Sequence, residues 1–219
     1  MKVIGVGFGR SGTMSIKQAI EDLGAGPCFH MIDLIRNSDK VPAWHDAAVK
    51  GNVDFDAMFA GYDATIDWPG CTFWRELMEA YPDAPVLFNY RDFEGWYRSM
   101  TNTVWALRQA AQKGELKPDA SRPQPSPELW QVIGTLIWER DLEGKFDDEA
   151  AARKIYEGRI ETIRSEVPAD RLTEFELGSA GWPEICGMLG VEEPDHEFPH
   201  LHETNEFRAE FGLPPLTTA

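Results

Sequence analysis

Apolar positions along the chain keep two alternating rhythms. Short apolar runs at 2–6, 64–66, 85–90 and 171–177 suit strands buried on both faces, and 28–31 reads as a shorter one. Between them the spacing changes to that of amphipathic helices. Ile16, Ala19, Ile20 and Leu23 form the first stripe, ended by Gly24-Ala25-Gly26-Pro27. Further helices are predicted over 41–50, 72–81, from Asp92 on through 101–113, 128–142, 147–167 and 182–189. Trp130, Ile133, Ile137 and Trp138 share one face of the 128–142 segment; Tyr156, Ile160, Ile163 and Val167 share one face of the 147–167 segment. Strands alternating with helices predict an α/β fold with a mostly parallel sheet. The segment 114–127 interrupts the pattern with Pro118, Pro123, Pro125 and Pro127, the composition of a lid or mobile loop. The stretch of chain after it is too small to fold alone, so 1–219 reads as one domain.

The first strand-to-helix turn carries the densest chemistry. Gly7-Phe8-Gly9-Arg10-Ser11-Gly12-Thr13 places three glycines and a cation where backbone N–H groups and a helix N-terminus point at an anion. Its spacing fits a dinucleotide fingerprint with Asp33 as the ribose partner, though the second strand before Asp33 is poor. It also has the outline of a Walker loop, but Thr13 occupies the place of the phosphate-clamping lysine. A plain tight turn accounts for one glycine and not for three with an arginine.

Charge narrows the partners. Twenty-one basic against thirty-seven acidic residues give a net charge of −16, which excludes nucleic acid and anionic membranes as expected partners. An anionic ligand then requires a local positive pocket. Cys28, Cys71 and Cys186 are odd in number and widely spaced, as in a reducing compartment. With no secretory leader or membrane-spanning run in the pattern, a cytoplasmic protein is expected.

Three further residues stand at strand ends, where α/β sheets place their ligands. His30 follows 28–31, or else packs beneath a loop. Asp67, beside Trp68-Pro69, suits a general base with a raised pKa, or a turn or cap aspartate. Arg91 ends 85–90, and Ser99 lies eight residues on, two turns into a helix. An arginine fork and a hydroxyl are phosphate ligands. Arg153, Lys154 and Arg159 read as a solvated helix face, and His196, His200 and His202 as surface residues.

The Arg10-Ser11-Gly12-Thr13 loop resembles the 5′-phosphosulfate loop of sulfotransferases, and Arg91 with Ser99 resembles their 3′-phosphate pair. With Asp67-Trp68-Pro69, the 181–191 segment and Phe198-Pro199-His200, the resemblance spans nearly the whole chain. It is nearest to the bacterial P-loop sulfotransferase group. The resemblance implies a three-layer α/β/α fold and transfer of a sulfuryl group from 3′-phosphoadenosine 5′-phosphosulfate to a hydroxyl or amine of a small-molecule acceptor, without a metal. It implies donor binding by Gly9, Arg10, Ser11, Gly12, Thr13, Met14 and Ser15 with Arg91 and Ser99. Arg10 would act on the bridging oxygen, and Asp67 or His30 would take the acceptor's proton. The chain departs from the cytosolic enzymes in lacking a C-terminal Arg-Lys-Gly. A small-metabolite kinase, a non-catalytic nucleotide-binding protein and a dehydrogenase are the competing readings.

Overall fold

The computed structural model describes residues 1–116, 125–201 and 203–216. His202 and most of the 114–127 segment read as a lid, including Pro118 and Pro123, lie outside the described residues. Among the described residues one parallel sheet runs in the order β2–β3–β1–β4–β5. Its strands are β1 (Val3–Gly5), β2 (Cys28–Phe29), β3 (Ala64–Thr65), β4 (Val86–Tyr90) and β5 (Leu172–Glu176). Val3 pairs with Ala64 and Ile4 with Val86, so β1 is central. The β4–β5 ladder runs from Val86 opposite Leu172 to Tyr90 opposite Glu176.

Successive side chains leave a strand on opposite faces, and the core divides accordingly. Ile4, Val86 and Phe88 pack with Trp44, Trp74, Trp96 and the Glu149–Glu166 helix. Val3, Leu87 and Phe175 pack with the Thr13–Asp22 and Trp182–Leu189 helices. The result is the three-layer α/β/α arrangement with a parallel sheet. The chain first moves outward from β1 to β2, returns to β3, then crosses β1 to β4 on the other side. That reversal opens a crevice at the carboxyl ends of the central strands.

Several elements differ from the hydrophobic pattern. The run 128–142 is helical from Pro127 to Ile133, then widens over Gly134–Asp141. The same widening affects Asp46–Lys50 and Thr101–Trp105. The Met31–Arg36 and Thr204–Glu210 helices were absent from the pattern because each is short and begins at an unusual cap, His30 or Glu203. Arg159 is no solvated residue. Its Nη2 donates to the carbonyls of Val6 (3.0 Å) and Cys71 (2.6 Å), and its guanidinium lies between the Phe8 and Trp74 rings. Backbone carbonyls left where β1 runs into its loop require such a donor. Among the described residues no helix is long and apolar enough to cross a membrane.

The crossing of β1 and β4 tolerates no side chain at Gly7. A Cβ there would collide with the backbone carbonyl of Asn89. Gly7→Ala is therefore expected to lose about 1–3 kcal/mol, the usual scale of overpacking. A urea titration with lowered midpoint and unchanged slope would show it; a wild-type midpoint would contradict this packing.

Candidate functional site

The glycine loop is shaped from behind. Ser11 Oγ donates to the Phe8 carbonyl (2.5 Å) and accepts from Asn89 Nδ2 (2.7 Å), while Trp96 Nε1 donates to the Gly9 carbonyl (3.0 Å). β4 and the Phe93–Met100 helix thus hold the loop that leaves β1. Arg10 adopts φ 67, a left-handed conformation uncommon for a residue with a side chain, and Gly12 follows at φ 82 as the residue preceding the Thr13–Asp22 helix. Such strain persists only where neighbours fix it, commonly at binding sites.

In front of the loop lies a cavity of about 390 Å³, within the range of ligand sites. Arg10, Gly12, Thr13, Met14, Ser15, Arg91 and Ser99 all reach its wall, seven of the nine residues that the resemblance implies for the donor. Ser11 contributes no side chain, because its hydroxyl is spent on Phe8 and Asn89. Gly9 instead faces Asp67. Arg91 lies across Gly95, where an ideal Cβ would come within 2.7 Å of Nη2, and its backbone N–H donates to the Tyr156 hydroxyl (3.2 Å). The Arg91 Nε is buried and has no hydrogen-bond partner among the described residues. Arg10 Nε donates to Ser99 Oγ at 3.2 Å. Its charge is disfavoured by burial and by Arg91, and favoured by Asp67. Two cations beside one cavity fit an anion carrying more than one charged group. The opposite wall is His200, Leu201 and Glu203–Asn205, tied to the loop helix by Leu201 N–H donating to Ser15 Oγ (3.0 Å).

Behind Arg10 the ends of β2 and β3 meet. Asp67 is buried, at φ 73, and so close to the loop that a Cβ at Gly9 would collide with its Oδ1. Thr13 Oγ1 stands 3.5 Å from Asp67 Oδ1, and His30 Nε2 lies 3.3 Å from Oδ2 and 2.9 Å from Thr13 Oγ1. The Ile32 N–H donates to His30 Nδ1 (3.1 Å), so Nδ1 holds a lone pair and Nε2 the proton in the neutral ring. Desolvation pushes the Asp67 carboxyl up to about 7, against the pull of the Trp68 N–H, the Arg10 charge, the Met31 N–H and Thr13. A second pocket of about 60 Å³ opens here, with Asp67, His30, Thr13 and Arg10 at its polar end. Asp33, offered by the dinucleotide spacing, instead accepts from the His30 N–H (2.9 Å) and pairs with Lys17 (3.1 Å).

Sequence reasoning passed over five contributors. Asn89 and Trp96 carry no motif, and Gly95 looks like an ordinary helix glycine until Arg91 is laid across it. Asp141, half-buried, accepts from Trp68 Nε1 (2.8 Å) and Thr72 Oγ1 (2.6 Å), fixing the residue next to Asp67 from 73 positions away. The Thr204–Glu210 helix closes the site, with the Phe207 ring 5.2 Å from the Arg10 guanidinium. No short-range signal reports such distant partners.

Comparison with known proteins gives two matches. A family model described as "Sulfotransferase domain" matches residues 2–207. The chain is 30% identical over 217 residues to "Ava biosynthesis cluster protein M" of Aspergillus versicolor, covering 92% of this chain and 80% of that protein.

A carboxyl whose folded pKa is raised to about 7 binds a proton that the unfolded chain, titrating near 4, has already released. Its favourable contribution is complete below about pH 4 and is lost as pH rises through 7. Asp67→Asn keeps the shape, and Asn tolerates positive φ. The variant is therefore expected to lose less stability than wild type between pH 5 and 8 in parallel denaturation series. Superimposable pH profiles would mean that Asp67 is not titrating in this range.

Proposed function

The chain belongs to the sulfotransferase-domain family, and from that premise we propose that it moves a sulfuryl group from 3′-phosphoadenosine 5′-phosphosulfate to the hydroxyl or amine of a small acceptor. When bound, the donor supplies an activated sulfuryl group on a phosphosulfate anhydride. The N–H groups of Ser11, Gly12 and Thr13, at the start of the Thr13–Asp22 helix, hold its 5′-phosphate. Arg91 and Ser99 hold its 3′-phosphate and discriminate against donors without one. Arg10 opposes the charge that develops on the bridging oxygen, an electrostatic role that needs no movement at the moment of reaction.

Asp67 serves as the acceptor's base. His30 is the weaker choice, because its Nδ1 receives the Ile32 N–H and its Nε2 carries the proton shared toward Thr13 and Asp67. In that arrangement His30 and Thr13 orient the carboxylate and stabilise its charged form, while Asp67 sits near the pKa that suits a base working at neutral pH.

The observation that carries this reading is the cavity of about 390 Å³ that Arg10, Arg91 and Ser99 line together with the start of the Thr13–Asp22 helix. Calorimetry with 3′,5′-adenosine diphosphate in magnesium-free buffer tests it. Wild type is expected to bind, and Arg91→Ala to bind about ten- to a hundredfold more weakly, the scale of a lost charged hydrogen bond. Binding of ATP–Mg in its place would overturn the reading in favour of a kinase. Nucleotide binding without turnover on any acceptor would leave a binding protein rather than a transferase.

A further inference from the structure

We propose that the chain has a second anion site, apart from the donor cavity, for a doubly charged tetrahedral oxyanion that arrives free or as the head group of a small ester. It lies where the Glu149–Glu166 helix faces Trp74, Arg75 and the end of the Gly134–Asp141 segment. The cavity there measures about 520 Å³, within the range of small-ligand sites, and shares no residue with the two cavities already described. Arg75, Arg140, Lys145, Lys154 and Arg159 stand on its wall, five of the twenty-one basic residues in a chain of net charge −16. Its carboxylates are Asp141 and Glu143.

Arg159 carries the argument. Nη2 spends its protons on the Val6 and Cys71 carbonyls, and Nε is buried. Nη1 is not buried and has no hydrogen-bond partner, and the side chain forms no ion pair, among the described residues. Guanidinium groups withdrawn from water are normally paired with an anion. Burial is the largest influence on Arg159 and disfavours its charge; Asp141 favours it, and Arg75 and Arg140 disfavour it further. Asp141 is no direct partner, because its Oδ2 is taken by Trp68 Nε1 and Thr72 Oγ1. The charge is left for a ligand to meet.

The helix beneath is shaped to leave room. Lys154, Ile155, Gly158, Arg159 and Thr162 follow one another at helical spacing along the cavity. A glycine inside a helix is destabilising relative to alanine, yet a Cβ at Gly158 would meet nothing within 4 Å. Packing does not require this glycine; an open floor beside Arg159 does.

Around the rim Arg75 pairs with Glu166, Arg140 with Glu76 and Lys145 with Glu143, all exposed pairs of the kind that contribute little and yield their partners readily. Lys154 is exposed and has no partner among the described residues. One fork and one ammonium are thus uncommitted, which suits an oxyanion bearing two charges better than a carboxylate bearing one.

The test uses the full chain with 3′,5′-adenosine diphosphate occupying the other cavity, titrated calorimetrically with inorganic phosphate, sulfate, glycerol 3-phosphate and acetate. Phosphate and sulfate are expected to bind, and acetate at least about tenfold more weakly. Equal affinity for phosphate and glycerol 3-phosphate identifies a free ion, and a tighter ester identifies a head group; either supports the site. Lys154→Glu and Gly158→Leu are each expected to weaken the anion at least about tenfold while nucleotide binding, which reports that the variants fold, stays unchanged. Absence of phosphate and sulfate binding, acetate binding equally well, or full anion affinity in both variants would overturn the proposal. Where wild type does not bind the nucleotide, the donor reading falls alone, and the same anion series is read in Arg91→Ala with and without Lys154→Glu.

Discussion

A carboxylate taken out of water beside a guanidinium sets the terms for the rest of this structure. Burying a lone ion costs several kcal/mol even after the surroundings relax. Asp67 recovers part of that cost from the Trp68 and Met31 N–H groups, Thr13 and the Arg10 charge. The recovery is incomplete, which is why its proton is held to about pH 7. Bringing the two side chains together also requires Arg10 and Asp67 to adopt left-handed backbone and Gly9 to have no side chain at all. Each non-glycine residue held that way costs about 1–3 kcal/mol. Only a rigid frame keeps such a pair in place.

The parallel sheet is that frame. β1 delivers the glycine loop, β2 His30, β3 Asp67 and β4 Arg91, all at the same edge because the strands run in one direction. Their fine placement comes from side chains that reach neither cavity of the candidate site. Asn89 and Trp96 fix the loop from the β4 side. Asp141 fixes Trp68, and Arg159 closes the carbonyls behind Phe8. The Phe8 and Trp68 rings stack at 5.1 Å between these two supports, so the floor under Arg10 and the floor under Asp67 are one packed layer. Deforming one would disturb the other.

The parts legible in the sequence were those with local chemistry. A buried strand, three glycines and an amphipathic stripe mark the loop and its helix within the first turn of the fold. The spacing of Arg91 and Ser99 survives because both lie on one strand-to-helix unit, and Asp67 is marked by its strand end and its tryptophan. What stayed hidden depends on long-range closure. Nothing around Thr204 announces a helix, yet its Phe207 touches Arg10 and its Asn205 lines the nucleotide-sized cavity. Arg159 has the sequence setting of a surface helix residue, and only the free carbonyls at the end of β1 turn it inward. His200, read as a surface residue, is exposed and yet reaches that cavity's wall.

The charge distribution bears on how an anion would be chosen. The chain carries −16 overall, and Glu203 stands in the wall of the larger cavity opposite the two arginines. Long-range repulsion of an anion is screened within about 8 Å at physiological ionic strength, whereas contacts to Arg10 and Arg91 are made inside the protein, where screening is weak. An anion that meets only the surface therefore gains little. One whose groups match the loop, Arg91 and Ser99 together gains interactions that salt scarcely weakens. For the donor we propose, selectivity would then come less from attraction at a distance than from Arg91 and Ser99, which line the cavity with the loop and reward only a ligand long enough to reach them from it.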